Sequence, residues 1–217
     1  FSVFIFRLDL GDSLPELRNG DLLLVLGGPM GIRDIGTSTY PWLIEEVRLI
    51  KEALNQGIGL IGVCLGAQLL AYAAGGDVEL LDEEASHQPL AEIGWGNVFP
   101  QSLENNCKLT AFLAQPFPVL HWHGDRIILP KNAELIASSS RCKEQLFRIG
   151  TLAYGIQFHV EIVDAMVKKW ISEDQKFIAS ALGANGQANL KQQQKEFGPK
   201  TLESRLKFLN VLFDLLS

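Results

Sequence analysis

An α/β fold, with a mostly parallel central sheet flanked by helices and a small antiparallel strand region, is predicted by three observations. Residues 21–26 and 58–63 are short continuous apolar runs, the pattern of strands buried on both faces. Helix-period stretches follow each of them. The resulting strand–helix–strand–helix order is the crossover rhythm of a parallel sheet.

Each element has its own signal. Residues 1–8 are rich in Phe, Val and Ile and favour a strand. Residues 11–20 carry Asp12, Ser13, Pro15 and Asn19 and read as loop. The strand at 21–26 ends in Gly27-Gly28-Pro29-Met30-Gly31, where helix is discouraged and backbone is exposed. Over 42–55, Leu43, Val47, Ile50 and Leu54 fall at helical spacing, and Gly57 is a C-cap. A helix over 65–74 follows the second strand and stops at Gly75-Gly76. Short strands are expected over 93–99, 119–123, 134–138, 145–149 and 153–158, and a helix over 163–181 with Met166, Trp170 and Phe177 on one face. The Gln- and Asn-rich stretch 185–195 reads as a mobile connector. Residues 201–216 place Leu202, Leu206, Leu209, Phe213 and Leu216 on one stripe, a helix that docks on this domain or on a partner. The expected organisation is one domain over 1–182, a polar connector over 183–200 and an amphipathic helix over 201–217.

Composition narrows the function classes. The 217 residues are 47% hydrophobic and 20% charged, which excludes a disordered or low-complexity chain. Net charge is −6 with no basic block, so no nucleic-acid footprint is expected. Cys64, Cys107 and Cys142 are an odd number without C-x-x-C, which is neither a disulfide framework nor a zinc ribbon. Residues 57–76 are uncharged and long enough to span a bilayer, but they hold six glycines and change from strand to helix pattern at Cys64. No membrane span and no secretory signal pattern are read, and a cytoplasmic location is expected.

Two segments carry chemistry. Gly62-Val63-Cys64-Leu65-Gly66-Ala67-Gln68 places Cys64 on a strand-to-helix turn flanked by small residues, the requirement of a nucleophile elbow. The following helix N-terminus favours a thiolate there. A core cysteine in an apolar strand is the competing reading. In Gln157-Phe158-His159-Val160-Glu161, residues two apart on a strand share a side, so Glu161 can orient His159. A surface polar pair is the competing reading here. His121 and His123 share a strand face, but no third ligand has comparable spacing, and no metal is expected. His87, beside Glu83 and Glu84, reads as solvated, and Cys107 and Cys142 as packing or surface cysteines.

Together these motifs, with Pro41-Trp42, Glu92-Ile93-Gly94-Trp95, Phe117-Pro118-Val119 and His121-Trp122-His123-Gly124-Asp125, resemble class I (triad) glutamine amidotransferases. The likeness runs over about residues 8–171 and is greatest to stand-alone proteins related to the amidotransferase domain of GMP synthase. It implies the flavodoxin-like fold of that family, with the amidotransferase domain over 1–182. It also implies that Cys64 is the nucleophile, His159 the proton carrier and Glu161 its orienting partner. By the same resemblance, backbone N–H groups of Gly28 and Leu65 form the oxyanion hole, and Gln68, Gly124 and Asp125 hold the substrate. Two departures stand out: Val160 replaces the proline of the family's His-Pro-Glu, and the family's first strand and helix have no counterpart in this sequence.

The implied activity is hydrolysis of L-glutamine to glutamate and ammonia through a γ-glutamyl thioester, without a cofactor. No P-loop or Ser-Gly-Gly nucleotide loop is present, so the chain would either lend ammonia to a separate synthase subunit or act alone. A γ-glutamyl peptide hydrolase using the same triad and a catalytically idle binding subunit are the alternatives.

Overall fold

A computed structural model describes residues 2–82, 89–101 and 108–216. His87, Glu83, Glu84 and Cys107 lie outside the described residues. The chain runs through β1 (Leu22–Val25), α1 (Leu43–Gln56), β2 (Gly59–Val63), α2 (Leu65–Ala73), β3 (Asp77–Leu80), β4 (Glu92–Pro100) and α3 (Lys108–Leu113). It continues through β5 (Phe117–His123), β6 (Asp125–Ile128), β7 (Ala133–Ser138), β8 (Leu146–Ile149), β9 (Ala153–Ile156), α4 (Asp164–Glu173), α5 (Gln175–Leu182) and α6 (Gly186–Asp214).

The main sheet has the order β1-β2-β9-β8-β7-β4-β5, and β3 pairs with β6 in a separate two-stranded sheet. The α/β class and the flanking helices match expectation. Parallel pairing is confined to β1–β2 and β2–β9, while the remaining ladders are antiparallel, so the antiparallel region is larger than the sequence suggested. The reason is connection length: β8 reaches β9 through a tight turn at Gly150, far too short for a crossover. The sheet curls, because β5 also meets the chain just beyond β9 through a Leu120–His159 bridge.

Alternating residues of β2 feed two cores. Leu60 packs with Leu43, Ile50, Leu69 and Leu70 of α1 and α2. Ile61 and Val63 face the opposite core, built around Phe117, Phe158, Phe208 and Leu212 and closed by α3 and α6. A third cluster joins Leu120 and Trp122 to Val167, Ile171, Ile178 and Leu190 of α4, α5 and α6.

Three expectations are corrected. Residues 1–8 form no strand among the described positions: Val3, Phe4 and Ile5 are about four-fifths exposed, and no ladder pairs them. Apolar, β-branched composition cannot make a strand without a hydrogen-bonded neighbour. The helix expected over 163–181 is broken at Asp174, whose carboxylate accepts a hydrogen bond from the Trp122 indole at 2.9 Å. Finally, the stretch read as a polar connector is the first half of α6. Its buried face is Leu190, Gln194, Gly198, Thr201, Arg205, Phe208 and Leu212, at steps of three and four. Four of these are glycine or polar, which hid the period from a hydrophobicity reading. Leu202 and Leu206 of the expected stripe are about half exposed, whereas Leu209, Phe213 and Leu216 pack partly against the core. Among the described residues, no helix is long and apolar enough to cross a membrane.

Candidate active site

Cys64 lies between β2 and α2 with φ 53°, the one non-glycine residue in the left-handed region among the described residues. Such backbone persists only where the surroundings over-determine it. Here they do: the Cys64 N–H donates to the Ile156 carbonyl at 2.7 Å, and its carbonyl accepts from the Gln68 N–H at 3.0 Å. A side chain at Gly62 would collide with the Gly66 carbonyl, and one at Gly66 with the Val25 carbonyl. Two glycines thus let strand, turn and helix close up, and the first-turn N–H groups of α2 beside the sulfur have no intrahelical acceptor.

His159 follows β9 and is held by its N–H donating to the Leu120 carbonyl at 2.8 Å. Its Nδ1 lies 2.7 Å from Glu161 Oε1, as the shared strand side suggested. The Cys64 side chain adjoins the ring and favours its charged form. Burial opposes a charged ring, but the adjoining Glu161 and Cys64 overcome it and push the His159 pKa up to about 10. Burial likewise pushes the Glu161 carboxyl up, and His159 draws it below its ordinary value. Glu161 Oε2 has no hydrogen-bond partner. Trp170 of α4 packs against the His159 ring at 4.9 Å, nearly edge-on.

The remaining sequence candidates divide. A Cβ at Gly28 would meet Met30 and, at 3.4 Å, Leu65, so these two backbone candidates are neighbours. Gly27, which sequence reasoning passed over, is closer to the chemistry: a Cβ there would stand 3.3 Å from Cys64 Cβ and 3.5 Å from His159 Cε1. Gln68 is buried and donates to Gln157 Oε1 at 3.2 Å. Gly124 lies against the Phe177 ring. Asp125 faces Gly31, and burial raises its pKa above the ordinary value against the opposing pull of Arg33, so the Gly-Gly-Pro loop and the Gly124–Asp125 turn meet. Arg33, Phe177 and Trp170 carry no motif signal that singles them out.

His121 and His123 form a second cluster with Glu92, their ligand-type atoms lying within 4.8 Å of one another. Two of the three are occupied by hydrogen bonds. Glu92 Oε2 accepts from Ser139 Oγ at 2.9 Å and Gln145 Nε2 at 2.8 Å. His123 Nδ1 pairs with the Asp125 carbonyl at 2.8 Å, and its Nε2 with Gln145 at 3.2 Å. Among the described residues, His121 has no hydrogen-bond partner on either nitrogen.

The family model described as "Glutamine amidotransferase class-I" matches residues 2–175. The chain belongs to the class I glutamine amidotransferase family. Among curated members, it is 32% identical over 181 residues to the glutamine amidotransferase-like protein YfeJ of Salmonella typhimurium, covering 82% of this chain and 72% of that one. It is 31% identical over 137 residues to a glutamine-hydrolysing GMP synthase of Porphyromonas gingivalis, where the match covers 61% of this chain but only 25% of the synthase. Among solved structures, a glutamine amidotransferase of Thermotoga maritima superposes with a TM-score of 0.75 at 28% identity, covering 97% of this chain and 84% of that one. A glutamine amidotransferase of Methylobacillus flagellatus gives 0.76 at 27% identity, covering 97% and 82%. The family model ends at residue 175, so most of α5 and all of α6 lie beyond this amidotransferase match.

Proposed function

We propose that this chain hydrolyses the side-chain amide of L-glutamine and releases ammonia for an acceptor held by a separate protein. One observation carries the reading: a strained Cys64 at a helix N-terminus lies beside a buried His159 that Glu161 holds at 2.7 Å. A ring with its pKa pushed up to about 10 is an imidazolium at neutral pH, beside the sulfur that is to act as nucleophile. The Cys64 sulfur attacks the γ-carbonyl carbon, and the negative charge passes to the carbonyl oxygen. The Gly28 and Leu65 N–H groups receive that oxyanion, each such donor contributing about 3–4 kcal/mol. As the tetrahedral species collapses, the carbon–nitrogen bond breaks and His159 gives its proton to departing ammonia. Neutral His159 then takes a proton from water, which attacks the thioester carbonyl and frees glutamate and the Cys64 thiolate. Arg33 and Asp125 supply opposite charges where the loop and turn meet, suited to the α-carboxylate and α-ammonium of the substrate.

The test is a panel of glutamine, γ-glutamyl peptides and γ-glutamyl amines, with ammonia and glutamate followed separately. Ammonia and glutamate in equal amounts from glutamine support the reading. Glutamate released from the peptides alone assigns the chain to γ-glutamyl hydrolysis instead.

A further inference from the structure

We infer that Arg205 of α6 is a positioning residue that fixes the Glu161 carboxylate, and through it the His159 ring, by clamping the backbone on both sides of Glu161. The inference rests on the proposed Cys64–His159–Glu161 chemistry and assigns a task to a helix beyond the residues matched by the family model.

The need for a clamp is visible in the chain. After the bridge at His159 the backbone leaves the sheet and is irregular until α4 begins at Asp164. Val160 and Ile162 are each only 2% exposed, so their carbonyls have little access to water and require a partner. Val160 also lacks a ring that would lock its φ. One atom meets both demands: Arg205 Nη1 donates to the Val160 carbonyl at 2.9 Å and to the Ile162 carbonyl at 2.8 Å. The first carbonyl shares a peptide plane with the Glu161 N–H, and the second belongs to the residue that follows Glu161. Holding both sets the direction in which Glu161 leaves the backbone toward His159.

Arg205 is itself rigidly held. It is 4% exposed, its Nε donates to Thr201 Oγ1 at 3.2 Å, its Nη2 reaches the Gly198 carbonyl at 3.4 Å, and its guanidinium lies 5.8 Å from the Trp95 ring centre. Trp95 in turn is anchored to α6, its N–H donating to Gln193 at 2.9 Å and its indole to Gln194 at 3.2 Å. The polar residues that hid the helix in the sequence are therefore its docking contacts. The guanidinium charge also attracts the Glu161 carboxylate, whose second oxygen is otherwise unpartnered. The planar guanidinium spreads its donors at fixed angles over Thr201, the Gly198 carbonyl and the two carbonyls beside Glu161, which an ammonium on a flexible stem does less well.

The experiment measures Cys64 alkylation by iodoacetamide from pH 5 to 10, mapped by peptide mass, in the full chain and in Arg205→Lys and Arg205→Met, with the melting temperature of each. Turnover of glutamine is recorded in parallel. Arg205→Met should slow Cys64 alkylation at pH 7, and by less at pH 10. Its kcat should fall about 10- to 100-fold, the scale of a misplacement of about 1 Å, with KM nearly unchanged. Arg205→Lys should recover part of both. A folded Arg205→Met with the alkylation profile and kcat of the unaltered chain overturns the inference. If Arg205→Met does not fold, Arg205→Lys is judged by the same criterion. If no γ-glutamyl compound is turned over at all, the proposed function fails, and the alkylation profiles still decide the role of Arg205.

Discussion

Two buried histidine–carboxylate clusters lie one strand bridge apart, and they end in opposite charge states. His159 has Glu161 at 2.7 Å and Cys64 beside it, and its pKa is pushed up to about 10. His121, next in chain to the Leu120 that bridges His159, has Glu92 at 3.7 Å and is pushed down to about 4. Burial drives both rings toward the neutral form. What separates them is contact: His159 lies about 1 Å closer to its carboxylate and adjoins Cys64, whereas His121 is further disfavoured as a cation by His123 and His159. Glu92 is also committed elsewhere, to Ser139, Gln145 and His123, whereas Glu161 has no other side-chain hydrogen bond. Similar residues thus hold a charged ring beside its carboxylate in one place and a neutral ring near an ionised carboxylate in the other.

Substitutions test that contrast, beginning with the largest effect. Cys64→Ser should abolish turnover while the melting temperature stays close to that of the unaltered chain, since a hydroxyl is nearly isosteric but does not ionise near pH 7. Steady-state assays and a thermal scan check both halves. His159→Ala should lower kcat about 10²–10⁴-fold, the usual contribution of a general acid–base group. Glu161→Gln should cost less, because the carboxylate positions the ring without carrying the proton. In the other cluster, His121→Gln should leave kcat nearly unchanged; a loss as large as that of Glu161→Gln would erase the distinction.

Stability against pH separates the clusters by sign. His121 is held neutral in the fold, so the unfolded chain takes up a proton first, and stability falls as pH drops from about 6.5 toward 4. A tenfold change in proton affinity is worth about 1.4 kcal/mol, so the loss across that range is on the order of 3 kcal/mol. His159 works the other way: its contribution is complete below about pH 6.5 and is lost as pH rises toward 10. Urea unfolding at pH 4.5, 6.5 and 9 should show both limbs, and His121→Gln should flatten the acid limb alone. The smallest expected effect is that of Trp170→Leu, which removes the ring packed on His159. Aromatic pairs contribute about 0.5–1.5 kcal/mol, which corresponds to a loss of kcat of roughly two- to tenfold.

Much of this site was legible before any coordinates. Gly62 and Gly66 around Cys64 are a local pattern whose geometry follows from elbow sterics; Glu161 does meet His159, but from an irregular segment beyond β9 and not from a strand. The parallel strands were legible too, as unbroken apolar runs at β1 and β2. Strand direction across β8 and β9 was not, because an apolar pattern reports burial and says nothing of which neighbour pairs. Gly27, Trp170 and Arg205 were hidden because their roles come from long-range contacts. In α6, glycine and polar side chains occupy the buried face, so the helix read as a connector until Gln193, Gln194, Thr201 and Arg205 were seen to bond to β4, to α6 itself and to the Glu161 segment.

The charge contrast is open to one direct measurement: titration of the four histidines by nitrogen-15 NMR, with His159 and His121 assigned through His159→Gln and His121→Gln. The His159 ring should remain an imidazolium at pH 8 and titrate well above the ordinary histidine range, and His121 should remain neutral to below pH 5. A His159 ring that is neutral at pH 7 contradicts the imidazolium on which the proposed chemistry depends.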